Sequence, residues 1–171
     1  MVLLEICGVV FLLMYLKKMG EINIKDLLTN KNIKYILFGY IMLRIIAISF
    51  SNLGNEIYGN MSFNDSYHIN RYYSGLKGAE LLEFFIQKDF LAPIREEFIY
   101  RYVIIGNVGN ISKKSVIISS VIFSLIHQPM NIIYFTMYFL MALVLSIIYY
   151  KSERIDVCIA IHILNNTWIL P

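Results

Sequence analysis

Apolar residues run along the chain in blocks separated by short charged or polar stretches, the pattern of repeated membrane spans and not of a water-soluble core. The first block, Val2 to Leu16, is followed by a stretch carrying Lys17, Lys18, Lys25, Lys31 and Lys34. Its length suits a signal-peptide core, but Glu5 lies inside it, and it has neither a basic start nor a small-residue cleavage site before Lys17, so a retained first helix is expected. Ile33 to Phe50 is long enough to cross and contains Arg44, which needs a partner or a water-lined face. Ser51 to Lys77 turns to Asn, Ser, Gly, Asp and Tyr and reads as an extramembrane loop. Gly78 to Phe90 sets Leu81, Leu82, Phe84, Phe85 and Ile86 beside Glu80, Glu83, Lys88 and Asp89, which suits an interfacial helix. Ala92-Pro93 then predicts a new helix start, since proline fits a first turn where its missing donor is not needed. Val116 to Ile126, Asn131 to Tyr150 and Ile155 to Leu170 complete the set.

Spans in lipid must satisfy their own backbone, and no alternating lipid-in, water-out pattern suggests a barrel. The predicted fold is therefore all-α, a multi-pass transmembrane bundle of about six helices in the cell membrane. Two parts are expected: N-terminal membrane helices with the polar loop over 1–78, and a core over 79–171. Composition agrees, because a chain of 171 residues that is 58% hydrophobic and 16% charged is too apolar for a soluble domain. The net charge of +3 is small and its basic residues are dispersed, which argues against nucleic-acid binding. Cys7 and Cys158 lie far apart in apolar runs and have neither metal-site nor disulfide spacing. Lys17, Lys18, Lys25, Lys31, Lys34, Lys113, Lys114, Lys151 and Arg154 fall in alternate breaks, which the positive-inside rule places in the cytoplasm.

Ionisable groups within apolar helices are expensive, about 2.5–3.5 kcal/mol each on insertion scales, and so point to function. After Pro93 come Arg95, Glu96, Glu97 and Arg101. Glu97 and Arg101 are four apart and can pair on one helix face, whereas Glu96, rotated about 100° from Glu97, is the carboxylate left free to act. A structural alternative keeps both glutamates with Arg95 at a headgroup boundary. His127 ends its block with Phe123 one turn earlier, and His162 with Asn166 shares a face of the last helix. Alone, His127 reads more readily as an interface histidine than as a catalyst, and the His162–Asn166 pair reads equally as a structural interhelical hydrogen bond. Together, three helices bring a carboxylate that can deprotonate water and imidazole or amide donors that can hold an oxyanion.

Glu96-Glu97-Phe98-Ile99-Tyr100-Arg101, Phe123-Ser124-Leu125-Ile126-His127 and His162-Ile163-Leu164-Asn165-Asn166 follow one another as E-E-x-x-x-R, F-x-x-x-H and H-x-x-x-N. In that order they resemble the motifs of the CPBP family of intramembrane peptidases, which includes CAAX prenyl endopeptidases and the bacteriocin-processing or self-immunity proteins also called Abi. The resemblance covers about Ala92 to Asn166. It implies that Glu96 activates the attacking water, that His127, His162 and Asn166 orient it or stabilise the oxyanion, and that Glu97, Arg101 and Phe123 support the site. One departure is Tyr102, which stands after Arg101 where relatives often carry glycine; another is the short N-terminal part.

The expected activity is cleavage of a membrane-associated or lipidated peptide, in bacteriocin or signal-peptide maturation or self-immunity; the partners would be that peptide and membrane lipid. No cofactor is expected. Zinc held by Glu96, His127 and His162 is the alternative, because three N/O ligands plus water make a catalytic zinc site, whereas Asn166 is a better hydrogen-bond donor than zinc ligand. H-E-x-x-H, serine-elbow and G-x-G-D patterns are absent from the sequence. Two other readings remain: a non-catalytic bacteriocin immunity protein, and a small ion-coupled transporter, which would also carry intramembrane His and Glu.

Overall fold

A computed structural model describes residues 2–59, 76–108 and 111–167. Among these the chain is helical throughout, with no strand: α1 Val2–Lys18, α2 Ile24–Leu27, α3 Asn30–Tyr58, α4 over 79–108, α5 Lys113–Ile126, α6 Ile132–Ser152 and α7 Ile155–Thr167. The polar residues between blocks start these helices. Asn23 accepts from the Lys25 N–H, Ser112 and Ser115 form a reciprocal capping box, and Asn131 Oδ1 accepts from the N–H groups of Ile133 and Tyr134.

Three boundaries differ from the sequence expectation. Lys31 and Lys34 belong to the first turns of α3, and α3 runs past Ser51 to Tyr58. Of the predicted Ser51 to Lys77 loop, residues 60–75 lie outside the described residues. The third difference is in α4. Pro93 does not begin a new helix, because Ala79–Phe85, Ile86–Leu91, Ala92–Glu97 and Phe98–Val108 follow without a break, the second and fourth stretches being π-helical. In the π pattern each N–H reaches the carbonyl five residues back, as Ala92 N–H does to Gln87. The next bond would run from residue 93 to the Lys88 carbonyl, and proline has no N–H to give. Asn166 Nδ2 fills the vacancy from α7, donating to Lys88 O at 3.2 Å. The helix continues through its proline because a neighbouring helix supplies the missing donor.

α6 lies at the centre and packs on α3, α5 and α7. α3 approaches closely at Gly39, where an added Cβ would sit 2.7 Å from the Cδ1 atoms of both Ile148 and Ile161. Hydroxyl groups tie helices together: Ser119 donates to the Tyr100 carbonyl at 2.7 Å, and Ser124 to the Phe135 carbonyl at 2.7 Å. At one end of the bundle Arg154 binds Asp156 and Asp26, and Asn23 N–H donates to Asp156, so the α1–α3 and α6–α7 connections share one side. The Asp156 hydrogen bonds hold the Arg154 guanidinium's pKa above its ordinary value.

Leu37, Phe38, Ile41 and Ile45 are each more than half exposed on α3, a surface suited to lipid and not to water. Among the described residues two helices, α3 and α6, are long and apolar enough to cross a membrane. Tyr102 answers the missing glycine: it is buried, stacks on Phe98 at 5.4 Å, and meets Tyr15 of α1 edge-on at 6.3 Å. A large ring fills that part of the α1–α4 interface.

Candidate active site

Glu97 and Arg101 form the innermost layer. Their side chains are 0% exposed, and Arg101 Nε lies 3.1 Å from Glu97 Oε2. Neither atom makes a well-aimed hydrogen bond, so the contact is an electrostatic one and not a bidentate fork. Arg101 is held further by donating through Nη2 to the Ala142 carbonyl at 3.1 Å and by lying 5.2 Å from the Phe123 ring centre.

The other carboxylate oxygen of Glu97 fixes His162. Oε1 is 2.8 Å from His162 Nδ1, and because a carboxylate can only accept, Nδ1 carries the proton. The second ring nitrogen, Nε2, then faces Glu96 Oε2 at 3.7 Å. The two glutamates thus reach opposite nitrogens of one imidazole. Their environments differ: the Glu96 side chain is 29% exposed and that of Glu97 fully buried.

His127 caps the C-terminus of α5, where its ring stacks between Phe123 at 4.3 Å and Tyr138 at 4.6 Å. Its Nδ1 donates to the Phe123 carbonyl at 2.8 Å. A neutral His127 therefore offers Nε2 as an acceptor, and only the imidazolium form offers a donor there. Phe123 contacts Arg101, His127 and Tyr100 at once and sets the spacing between α4 and α5.

Glu96, His127, His162 and Asn166 all line one cavity of about 470 Å³, whose opposite wall is α3. Asn166 reaches it with one amide hydrogen committed to Lys88 O, leaving the second N–H and Oδ1. Among the lining residues that the sequence did not single out are Asn165 and Tyr138. Asn165 is buried with its Oδ1 lacking a hydrogen-bond partner, and its only signal was its place beside Asn166. Tyr138, the second ring around His127, belonged to no motif. Arg95 is not among the residues lining the cavity and pairs with Glu5 of α1 at 3.6 Å, not with either glutamate. No group of three His, Cys, Asp or Glu side chains among the described residues converges to hold a metal ion. Both histidines have Nδ1 already engaged, so a shared ion would have to be met by their Nε2 atoms.

The family described as type II CAAX prenyl endopeptidase Rce1-like matches residues 79–168, the stretch that carries Glu96, Glu97, Arg101, Phe123, His127, His162 and Asn166. Among curated proteins the chain is similar to "Membrane-embedded CAAX protease MroQ" of Staphylococcus aureus (strain USA300), 27% identical over 146 residues, covering 81% of this chain and 57% of that protein. The chain spans little more than half of that relative's length. No solved structure matches.

Proposed function

The chain belongs to the type II CAAX prenyl endopeptidase Rce1-like family, and from that premise we propose that it is a multi-pass intramembrane endopeptidase of the cell membrane, which cleaves a membrane-associated or lipidated peptide with water activated by Glu96. The observation that carries this reading is the arrangement of Glu96 over His162. A partly exposed carboxylate faces, at 3.7 Å, an imidazole nitrogen whose partner nitrogen is anchored by a buried glutamate. One water can touch both groups.

In this reading Glu96 takes a proton from water as its oxygen attacks the scissile carbonyl, then returns that proton to the leaving amine. Glu97 accepts from Nδ1–H and so holds the His162 ring in one orientation, with Nε2 turned toward Glu96. The developing oxyanion is met by the free N–H of Asn166, and His127, with Nδ1 bound to the Phe123 carbonyl, offers Nε2 to orient the water. Arg101 and Phe123 act through Glu97 and His127 as positioning residues. The peptide binds in the cavity that these groups and the α3 wall line.

Incubation of the purified protein in bilayers with a prenylated CAAX-type peptide, followed by mass spectrometry, tests the proposal. Cleavage at one bond, lost in the Glu96→Gln protein, is the expected result. An intact peptide after prolonged incubation, together with protection of cells against a bacteriocin that is unchanged by Glu96→Gln, would instead support a purely binding immunity role.

A further inference from the structure

Arg44 is absorbed by nothing described so far. It sits midway along α3, in a 29-residue helix whose outer face is apolar and exposed. An arginine at such a depth costs about 2.5–3.5 kcal/mol on insertion scales and is kept where it faces a cavity or a partner. Its side chain lines the same cavity as Glu96, His127 and His162. Ala47, Ile48, Ser51 and Asn52 line that wall with it, at the three- and four-residue steps that put side chains on one helix face. α3 therefore sets this stripe along the cavity, with Ile48 and Asn52 at its exposed rim and Arg44 as its charged member.

The balance of charge around the cavity is uneven. Lys88 lies 3.0 Å from Asp89, and Glu96 has His162 beside it. Arg44 forms no ion pair and no hydrogen bond with any described residue. A guanidinium in a low-dielectric cavity attracts a carboxylate strongly, and its planar fork of donors matches one. The cavity, about 470 Å³, has the size that holds a small ligand or a few residues of extended peptide.

We propose that Arg44 is an anion-binding subsite of the cleavage cavity, which selects peptides carrying a carboxylate a few residues from the scissile bond. The carboxylate can come from the peptide's C-terminus or from an aspartate or glutamate side chain. This inference rests on the peptidase reading for its ligand, but binding can test it without any cleavage.

The Glu96→Gln protein, purified in dodecyl maltoside, which contains no phosphate, is titrated against fluorescent prenylated peptides by anisotropy. One peptide ends in a free carboxylate, its twin in an amide, and a third is the amide with one aspartate near the end. Either carboxylate should tighten binding at least about tenfold over the neutral amide, as a charge-assisted hydrogen bond in a cavity does. Arg44→Gln should bring the carboxylate peptides to the level of the amide and leave the amide itself unchanged, and Arg44→Lys should retain part of the preference. The tighter of the two carboxylate peptides identifies the source of the charge. Equal binding of all three peptides, or an equal loss for all three in Arg44→Gln, overturns the proposal. It also falls if Arg44→Gln matters only after phosphatidylglycerol is added, because Arg44 then holds a lipid phosphate. Failure of the wild-type protein to cleave any peptide would count against the peptidase reading alone.

Discussion

Separating Glu97 from Arg101 should be among the most damaging changes the bundle can suffer. Both side chains are 0% exposed and their charges lie 3.1 Å apart. Removing one partner of a buried ion pair leaves the other uncompensated, at a cost of about 3–5 kcal/mol. The Arg101 N–H is not aimed at the Glu97 oxygen, so the lower end, about 3 kcal/mol, is expected for Glu97→Gln. Arg101→Ala should cost more, because it also removes the bond to the Ala142 carbonyl and the packing under Phe123. In Glu97→Gln/Arg101→Met no buried charge remains, the glutamine oxygen can still accept from His162 Nδ1, and methionine fills much of the vacated volume. The double variant should recover most of the loss, giving a coupling of about 2 kcal/mol or more between the two sites. Reversible unfolding of the four proteins in mixed micelles of maltoside and dodecyl sulfate measures that coupling. A value below about 0.5 kcal/mol, typical of an exposed pair, would refute the claim that this contact organises the site.

Further outcomes follow from other contacts. Asn166→Ala should leave the Lys88 carbonyl without a donor and destabilise by about 1–3 kcal/mol; adding Pro93→Ala supplies the missing N–H, so a melt of the double variant should recover much of the stability while cleavage stays low. If stability is not recovered, the amide does not substitute for the proline's missing donor. A cysteine placed at Ser152 in a Cys7→Ser background should resist a membrane-impermeant maleimide in intact cells, as the basic breaks require, and labelling there would reverse the orientation. Activity should survive chelator treatment, and loss of cleavage that is restored by zinc would show that Glu96 acts through a metal.

Much of this site could be read in the sequence because its groups sit at helical spacings. Glu97 and Arg101, or His162 and Asn166, are one turn apart, and a helix in lipid has to place such groups inward. Periodicity carried no information on what crosses between helices. The pairing of His162 with Glu97 depends on how α7 packs against α4, and the stacking of His127 on Tyr138 depends on the turn between α5 and α6. Proline was misread as a helix start because its meaning depends on a donor 73 residues away in sequence, Asn166, whose bond to Lys88 lets α4 pass through residue 93. The π stretches could not be anticipated either, since they arise where side chains such as Ser119 and Asn166 take up carbonyls from outside the helix. Arg44 was visible as a charge in an apolar block, but its place on the cavity wall was not.

The central claim is that the Glu96 carboxylate activates the water, and the most direct measurement is the single-turnover cleavage rate of Glu96→Gln against wild type, at equal amounts of folded protein in the same bilayers. Glutamine keeps the shape of the side chain and removes its ability to take a proton, so the rate should fall by roughly 10²–10⁴-fold, the range of general base catalysis, while peptide affinity and unfolding midpoint stay near wild type. A Glu96→Gln protein that cleaves within a few-fold of wild type would contradict the account.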